Sequence, residues 1–272
     1  MTPTFWTEKR IFISGASSGL GREFARVVAP QRAHLILLGR DQDRLEAVGH
    51  EARSLGAASV RWIQSDAFSE GLREKIEQVM GKEEGIDLLV HAIGKSDRGY
   101  LHQLQTSDLE ELFRINVLTA HAVDVHCMPY VKRVQGCIVH VGSLASKVAT
   151  AGMGGYAIAK HGLAAYSQQL RREVASDGVH VMLVCPGPIA RQDSGHRYDA
   201  LAEGRQLDEK LRKPGGGAPI RALDPKELCA NILAKASRRE LEWVTSSKVR
   251  WLVALAALWP RMAEWLLKKS SR

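Results

Sequence analysis

Tyr156 and Lys160 stand four residues apart, and Ser143 precedes the tyrosine by thirteen. On a helix that four-residue spacing sets the phenol and the ammonium on one face, one turn from each other. A free phenol titrates near ~10, too high for an efficient base at neutral pH. A nearby ammonium favours the phenolate. Lowering the phenol by ~3 units corresponds to about 4 kcal/mol of differential stabilisation, which a close cation supplies only in a dry site. A serine hydroxyl folded back toward the tyrosine would hold a substrate oxygen while charge builds on it. The chemistry this set suits is proton exchange with a carbonyl or alcohol oxygen. Tyr-x-x-x-Lys pairs also occur by chance in many helices, so the pair alone decides nothing.

A second group of residues gives it weight. Gly15-Ala16-Ser17-Ser18-Gly19-Leu20-Gly21 lies between an apolar run and an amphipathic stretch. Glycines there let the backbone turn tightly and approach a pyrophosphate, and the following helix N-terminus offers N–H groups and positive partial charge to the anion. Folds that prefer NAD(H) place an acid at the end of the second strand to accept from the ribose 2′-OH. Here that strand ends Leu38-Gly39-Arg40. A guanidinium suits a 2′-phosphate, so NADP(H) is favoured over NAD(H), with Arg22 a candidate to assist.

The elements that must position these groups follow from apolar periodicity. Strands are expected at 11–14, 34–38, 60–64, 86–92, 137–141, 179–185 and 241–244. Helices are expected at 20–29, 41–54, 69–80, 107–128, 154–175 and 224–236, the last with Asp224 as N-cap and Pro225 at its first position. Strands apolar on every residue are buried on both faces, and alternation with helices implies a parallel sheet covered on each side. The expected fold class is α/β: a doubly wound parallel sheet of Rossmann type, three layers, in one domain over 1–245. Every motif above falls at a strand's carboxyl end, where such folds bind ligands. Residues 189–222, which include Gly215, Gly216 and Gly217, are expected to form the loop that shapes the substrate pocket.

Composition bounds the rest. A chain of 272 residues suffices for one large domain. The formal net charge of +8 is spread along the chain without a zinc-finger, RNA-binding or basic-helix pattern, so a solvated basic surface is expected and nucleic-acid binding is not. Cys127, Cys137, Cys185 and Cys229 show no CxxC or metal-ligand spacing. A reducing, cytoplasmic setting without a metal site is expected. The few residues before the first strand leave no room for a secretory signal, and no run reaches the ~18–20 apolar residues of a spanning helix.

Together these motifs resemble the classical short-chain dehydrogenase/reductase family over about residues 8–245. The carriers are Gly15-x-x-x-Gly19-x-Gly21, Asp66, Asn116, Ser143, Tyr156-x-x-x-Lys160 and Pro186-Gly187. The resemblance implies an Asn116–Ser143–Tyr156–Lys160 tetrad. In it Asn116 holds a water that links Lys160 to solvent, and Lys160 also bonds the nicotinamide ribose. It implies that Asp66 contacts adenine, and that the cofactor is lined by Gly15, Ser17, Ser18, Gly19, Leu20, Gly21, Arg40, Ala92, Gly94, Pro186, Gly187 and Ile189 besides Tyr156 and Lys160. It further implies a homodimer or homotetramer through the long helices. Two departures stand out. The family's Asn-Asn-Ala-Gly is His91-Ala92-Ile93-Gly94 here, which reads as a satisfied strand-end histidine in place of an amide. Arg191 stands near the place of a carboxamide-binding threonine.

The last thirty residues hold Trp243, Trp251, Trp259 and Trp265, with an apolar stretch broken at Pro260 and then Lys268, Lys269 and Arg272. Three readings of 246–272 stay open: peripheral membrane contact, a contact between copies, and a cover over an apolar cleft. The segment resembles the hydrophobic extensions of hydroxysteroid-dehydrogenase-like and lipid-acting members, which leans the small-molecule substrate toward something bulky and apolar. The competing functional readings are a module that binds NADP(H) without chemistry and a membrane scaffold with a vestigial dinucleotide domain.

Overall fold

The structure, a computed structural model, describes residues 4–81, 84–190, 205, 207, 221–259, 261, 262 and 265. Seven strands form one parallel sheet: β1 (Arg10–Ser14), β2 (His34–Gly39), β3 (Ser59–Gln64), β4 (Leu88–His91), β5 (Cys137–Val141), β6 (His180–Cys185) and β7 (Glu242–Val244), in the order β3-β2-β1-β4-β5-β6-β7. The helices are α1 (Gly19–Val28), α2 (Gln42–Ser54), α3 (Leu72–Met80), α4 (Thr106–Phe113), α5 (Thr119–Arg133), α6 (Tyr156–Glu173), α7 (Pro225–Ser237) and α8 (Ser247–Leu258).

Alternate strand residues feed two cores. Ile11 and Ile13 of β1 join Leu35 and Leu37 of β2 beneath α1, α2 and α7. Phe12, Ile36 and Leu38 face the other way, toward α3 and α5. This accounts for strands that read as apolar at every position, and it gives the three expected layers. Phe12 is wholly buried, so truncating it to alanine costs about 3–5 kcal/mol. The strand order reverses between β1 and β4, so the crevice of the fold opens beyond their carboxyl ends.

Most helix ends fall within a few residues of expectation, and Asp224 caps α7 through a bond from the Glu227 N–H. The expected single helix over 107–128 differs in two ways. A π-helical turn (Arg114–Leu118) interrupts it between α4 and α5. α5 then runs through Pro129 to Arg133. Proline removes the bond to the carbonyl four residues back, here that of Val125. The substrate loop expected at 189–222 lies largely outside the described residues.

Candidate active site

The turn after β1 is shaped by its glycines. Gly15 (φ 78°) and Gly19 (φ 52°) occupy the left-handed region. A Cβ on Gly21 would lie 2.2 Å from the Gly15 carbonyl oxygen, so α1 starts pressed against the loop. A Cβ on Gly15 would lie 2.8 Å from Ile93 Cγ1, which brings this loop against the segment after β4, at the switch point. Ser18 is the N-cap of α1, makes no side-chain cap bond, and no acid stands in the first turn. This cradle fits a dinucleotide pyrophosphate. Ser17 packs over the end of β2, its Oγ 3.2 Å from where a Gly39 Cβ would sit. Arg40 is 82% exposed at 4.0 Å from the Asp66 carboxylate, and both flank the open crevice. Arg22 is turned elsewhere: it pairs with Glu51 of α2 at 3.0 Å, because its position on α1 faces that helix rather than the loop.

The four tetrad residues lie on three elements: α6 carries Tyr156 and Lys160, the π-helical turn carries Asn116, and Ser143 opens the short turn after β5. Lys160, buried on α6, donates to the Val141 carbonyl at the end of β5 (3.0 Å) and stands 5.8 Å from the centroid of the Tyr156 ring. Asn116 sits in the π-helical turn, a deformation common at functional sites. Its Nδ2 donates to the carbonyls of Lys95 and Leu112 (both 2.9 Å). A Cβ on Gly94 would lie 3.1 Å from Asn116 Oδ1 and 3.3 Å from Lys160 Nζ, so both polar ends border this glycine. Ser143 caps the short turn Leu144–Ser146, its Oγ accepting from the Ala145 N–H, and α6 packs against that turn. Burial lowers the Lys160 ammonium to about 8, against a small upward pull from Cys185. The residue stays cationic at neutral pH yet titrates close to it, as a proton relay requires.

Beyond β6 the Pro186 carbonyl accepts from the Leu144 N–H (2.8 Å), and the Gly187 N–H donates to Thr245 Oγ1 (2.9 Å). Ile189 bridges to Leu223. Arg191 lies outside the described residues.

Two buried groups behind the site escaped the sequence reading. The first is a polar network under the strand ends. Asp124 of α5 accepts from His91 Nε2 (2.8 Å), His140 Nε2 (3.0 Å) and the Tyr166 hydroxyl (2.8 Å). Ser14 Oγ lies 3.1 Å from His91 Nδ1, and Ser167 Oγ 2.8 Å from His140 Nδ1. The facing nitrogens and carboxylate lie within 4.8 Å of one another, a spacing open to a metal, but each of these atoms already has a hydrogen-bond partner. Burial pushes the Asp124 carboxyl up, and the two histidines outweigh it and hold it well below the usual range. His91 is thus satisfied, as expected of a strand-end histidine.

The second group is Asp97. Its Oδ2 accepts from the Gly155 N–H (3.2 Å), directly before Tyr156, and its Oδ1 pairs with Arg205 at 2.7 Å. A Cβ on Gly154 would lie 2.1 Å from that carboxylate. A carboxylate at the start of α6 complements the helix dipole and fixes the turn from which Tyr156 projects.

A parallel doubly wound sheet, a glycine cradle at its switch point and a Lys–Tyr–Ser–Asn set at the adjoining strand ends define a class: nucleotide-binding oxidoreductases of the carbonyl/alcohol type. Comparison with known proteins agrees. The short chain dehydrogenase family model matches residues 9–199, and the chain belongs to this family. It is 28% identical over 263 residues to dehydrogenase/reductase SDR family member 7B of Danio rerio, covering 94% of this chain and 83% of that one. It is 30% identical over 269 residues to a dehydrogenase/reductase SDR family protein 7-like of Anopheles gambiae (95% and 78%). It is 28% identical over 238 residues to the 3-oxoacyl-[acyl-carrier-protein] reductase FabG of Escherichia coli (87% and 93%). In fold it is similar to L-sorbose reductase from Gluconobacter frateurii, solved with NADPH and L-sorbose (TM-score 0.75, 22% identity, 90% of this chain and 97% of that one). The chain is an oxidoreductase interconverting a carbonyl and an alcohol with a nicotinamide cofactor.

Proposed function

We propose that the chain is an NADP(H)-dependent reductase or dehydrogenase of an apolar carbonyl/alcohol pair, with Tyr156 as general acid and base. The observation that carries this reading is the placing of Asn116 Oδ1 and Lys160 Nζ beside Gly94, with Lys160 Nζ 5.8 Å from the centroid of the Tyr156 ring. The nicotinamide, when bound, supplies or accepts the hydride. The chain's residues do the rest. Tyr156 gives its phenolic proton to the substrate oxygen in reduction and takes one back in oxidation. Lys160, cationic and dry, stabilises the phenolate that remains. Ser143 donates to the same substrate oxygen, and Asn116 with Lys160 passes a proton toward solvent.

The glycine cradle of Gly15, Gly19 and Gly21 receives the pyrophosphate. Ser17, Ser18 and Leu20 border it, Asp66 and Ala92 flank the adenosine, and Pro186, Gly187 and Ile189 close the nicotinamide end. Arg40, with no acid at Gly39 and an open guanidinium, supports NADP(H) over NAD(H). Phe113, Leu118, Val125 and Ile158, between 38% and 53% exposed on α4, the π turn, α5 and α6, support a dimer or tetramer through these helices.

The test is turnover of aliphatic, steroid and acyl-chain ketones with NADPH and with NADH, in the natural chain and in Tyr156→Phe. Loss of turnover with NADPH affinity retained is expected. Turnover surviving in Tyr156→Phe refutes the tyrosine mechanism. NADPH binding without turnover on any ketone, already in the natural chain, favours the binding-module reading.

A further inference from the structure

The segment beyond β7 differs from the rest of the surface. After Arg250, α8 reads Trp-Leu-Val-Ala-Leu-Ala-Ala-Leu, apolar on every side. Such a helix belongs in a core or a membrane. Its base is tied to the domain. Ser246 caps it, and Val249 packs on Leu183, Cys185 and Val244 beside Leu144. Beyond that, Trp251 is 77% exposed, Leu258 69%, and Trp259 and Trp265 59% each. Among the described residues these are the most exposed large apolar side chains of the molecule.

The charge of the segment says what covers them. Between 246 and 272 the sequence carries Lys248, Arg250, Arg261, Lys268, Lys269 and Arg272 against a single acid, Glu264. A two-fold contact between copies sets a patch against itself, and here it would oppose cations to cations. A flap over the cleft would bury the tryptophans, which are open. An anionic lipid surface suits both features: indoles seat at the headgroup level, and each nearby cation adds about fivefold to partitioning. α8 is about 18 Å long, well short of a ~30 Å hydrocarbon core. Among the described residues no helix is long and apolar enough to cross a membrane.

We propose that α8 and the tryptophans beyond it dock the enzyme on an anionic lipid surface, with Trp251, Trp259 and Trp265 in the headgroup layer and Lys248, Arg250 and Arg261 against the lipid phosphates. Because Val249 packs beside Leu144, the neighbour of Ser143, docking sets the catalytic end of the sheet close to the bilayer. This deepens the apolar-substrate reading, but the docking does not depend on it.

The test uses the full chain in flotation with vesicles of phosphatidylcholine alone and with about a third phosphatidylserine, at low and high salt. Binding to the anionic vesicles alone, a blue shift of tryptophan emission and loss of binding in high salt are expected. Replacing Trp251, Trp259 and Trp265 together by alanine should lower partitioning at least about tenfold. Lys248→Gln, Arg250→Gln and Arg261→Gln together should lower it about a hundredfold, three steps of about fivefold, and they leave the apolar contacts in place should the tryptophan variant misfold. Equal binding to both vesicle types, or no binding to either, overturns the proposal, and in the second case a molecular mass for the tryptophan variant half that of the natural chain assigns the patch to a contact between copies. Vesicle binding is read without turnover, so its failure leaves the catalytic reading standing, and the reverse holds too.

Discussion

Gly94→Ala is the smallest change that separates the tetrad from the fold. Gly94 lacks a positive φ, so alanine meets no backbone penalty there, and stiffening the unfolded chain gains about 0.4–1 kcal/mol. The new methyl would lie 3.1 Å from Asn116 Oδ1 and 3.3 Å from Lys160 Nζ, where an unstrained contact needs about 3.5 Å or more. Both polar ends must retreat by a few tenths of an ångström. Each is tethered: Asn116 by two bonds of 2.9 Å to Lys95 and Leu112, Lys160 by one of 3.0 Å to Val141. A misplacement of about 1 Å can cost about 10²-fold, so a third of that costs about fivefold, or ~1 kcal/mol of transition-state stabilisation. The assay pairs steady-state kinetics on any accepted ketone with urea unfolding. The expected result is kcat down about five- to tenfold, KM for NADPH within about twofold, and unfolding free energy within about 1 kcal/mol. An unchanged kcat would show that the convergence over Gly94 plays no part in catalysis. A loss of activity matched by a loss of stability would assign the glycine to the fold.

Three further outcomes follow from the same geometry. Arg40→Gln should lower kcat/KM for NADPH by about 10- to 100-fold while leaving NADH use nearly constant, the loss of one charge-assisted contact with a 2′-phosphate; an equal fall with both cofactors would remove Arg40 from phosphate recognition. Burial holds folded Lys160 near about 8 against 10.5 for a free lysine, so below pH 8 the fold bears the full cost of a buried ammonium. Between pH 8 and 10.5 the unfolded chain binds the extra proton, so stability rises with pH there and the cost disappears above 10.5. Lys160→Met should abolish turnover yet raise stability at pH 7 by about 1–3 kcal/mol and flatten that pH slope, and a less stable variant with the slope intact would contradict the assignment. Asp124→Asn should cost about 3–5 kcal/mol in chemical unfolding, because the amide removes the negative charge and turns one of the two oxygens that serve two imidazoles and a phenol into a donor; a neutral effect would mean the network contributes nothing.

The sheet, its two covered faces and the glycine turn were legible because each is a local pattern: strands apolar throughout, turns marked by glycine, Asp224-Pro225 opening α7. Ser143, Tyr156 and Lys160 stood out by spacing, and Asn116 only by the family resemblance. What stayed hidden is long-range or irregular. His91, Asp124 and His140 lie on β4, α5 and β5, and nothing in their spacing shows that one carboxylate serves both rings. Asp97 lies 58 residues before Gly155, and only the fold reveals it as the acceptor at the start of α6. The π turn holding Asn116 leaves no mark on a 3.6-residue period, and α5 runs on through Pro129 to Arg133, past the expected end at 128.

The hidden network also explains how the chain keeps its site after losing the family's paired amides. A strand-end histidine in place of an amide would leave a polar ring under the phosphate loop, and a lone Asp124 would be an unpaired carboxylate in the core. Each is costly alone. Together they cancel: His91 and His140, register partners on adjacent strands, share the carboxylate, and Tyr166 and Ser167 extend the bonds onto α6. Ser14, at the other end, is the last residue before Gly15. The carboxyl ends of β1, β4 and β5 and the helix bearing Tyr156 and Lys160 are therefore tied through one buried acid. His91, Asp124 and His140 are best understood as a single exchange, and the stiffness that holds the cofactor loop against the catalytic helix comes from beneath the site rather than from the residues that line it.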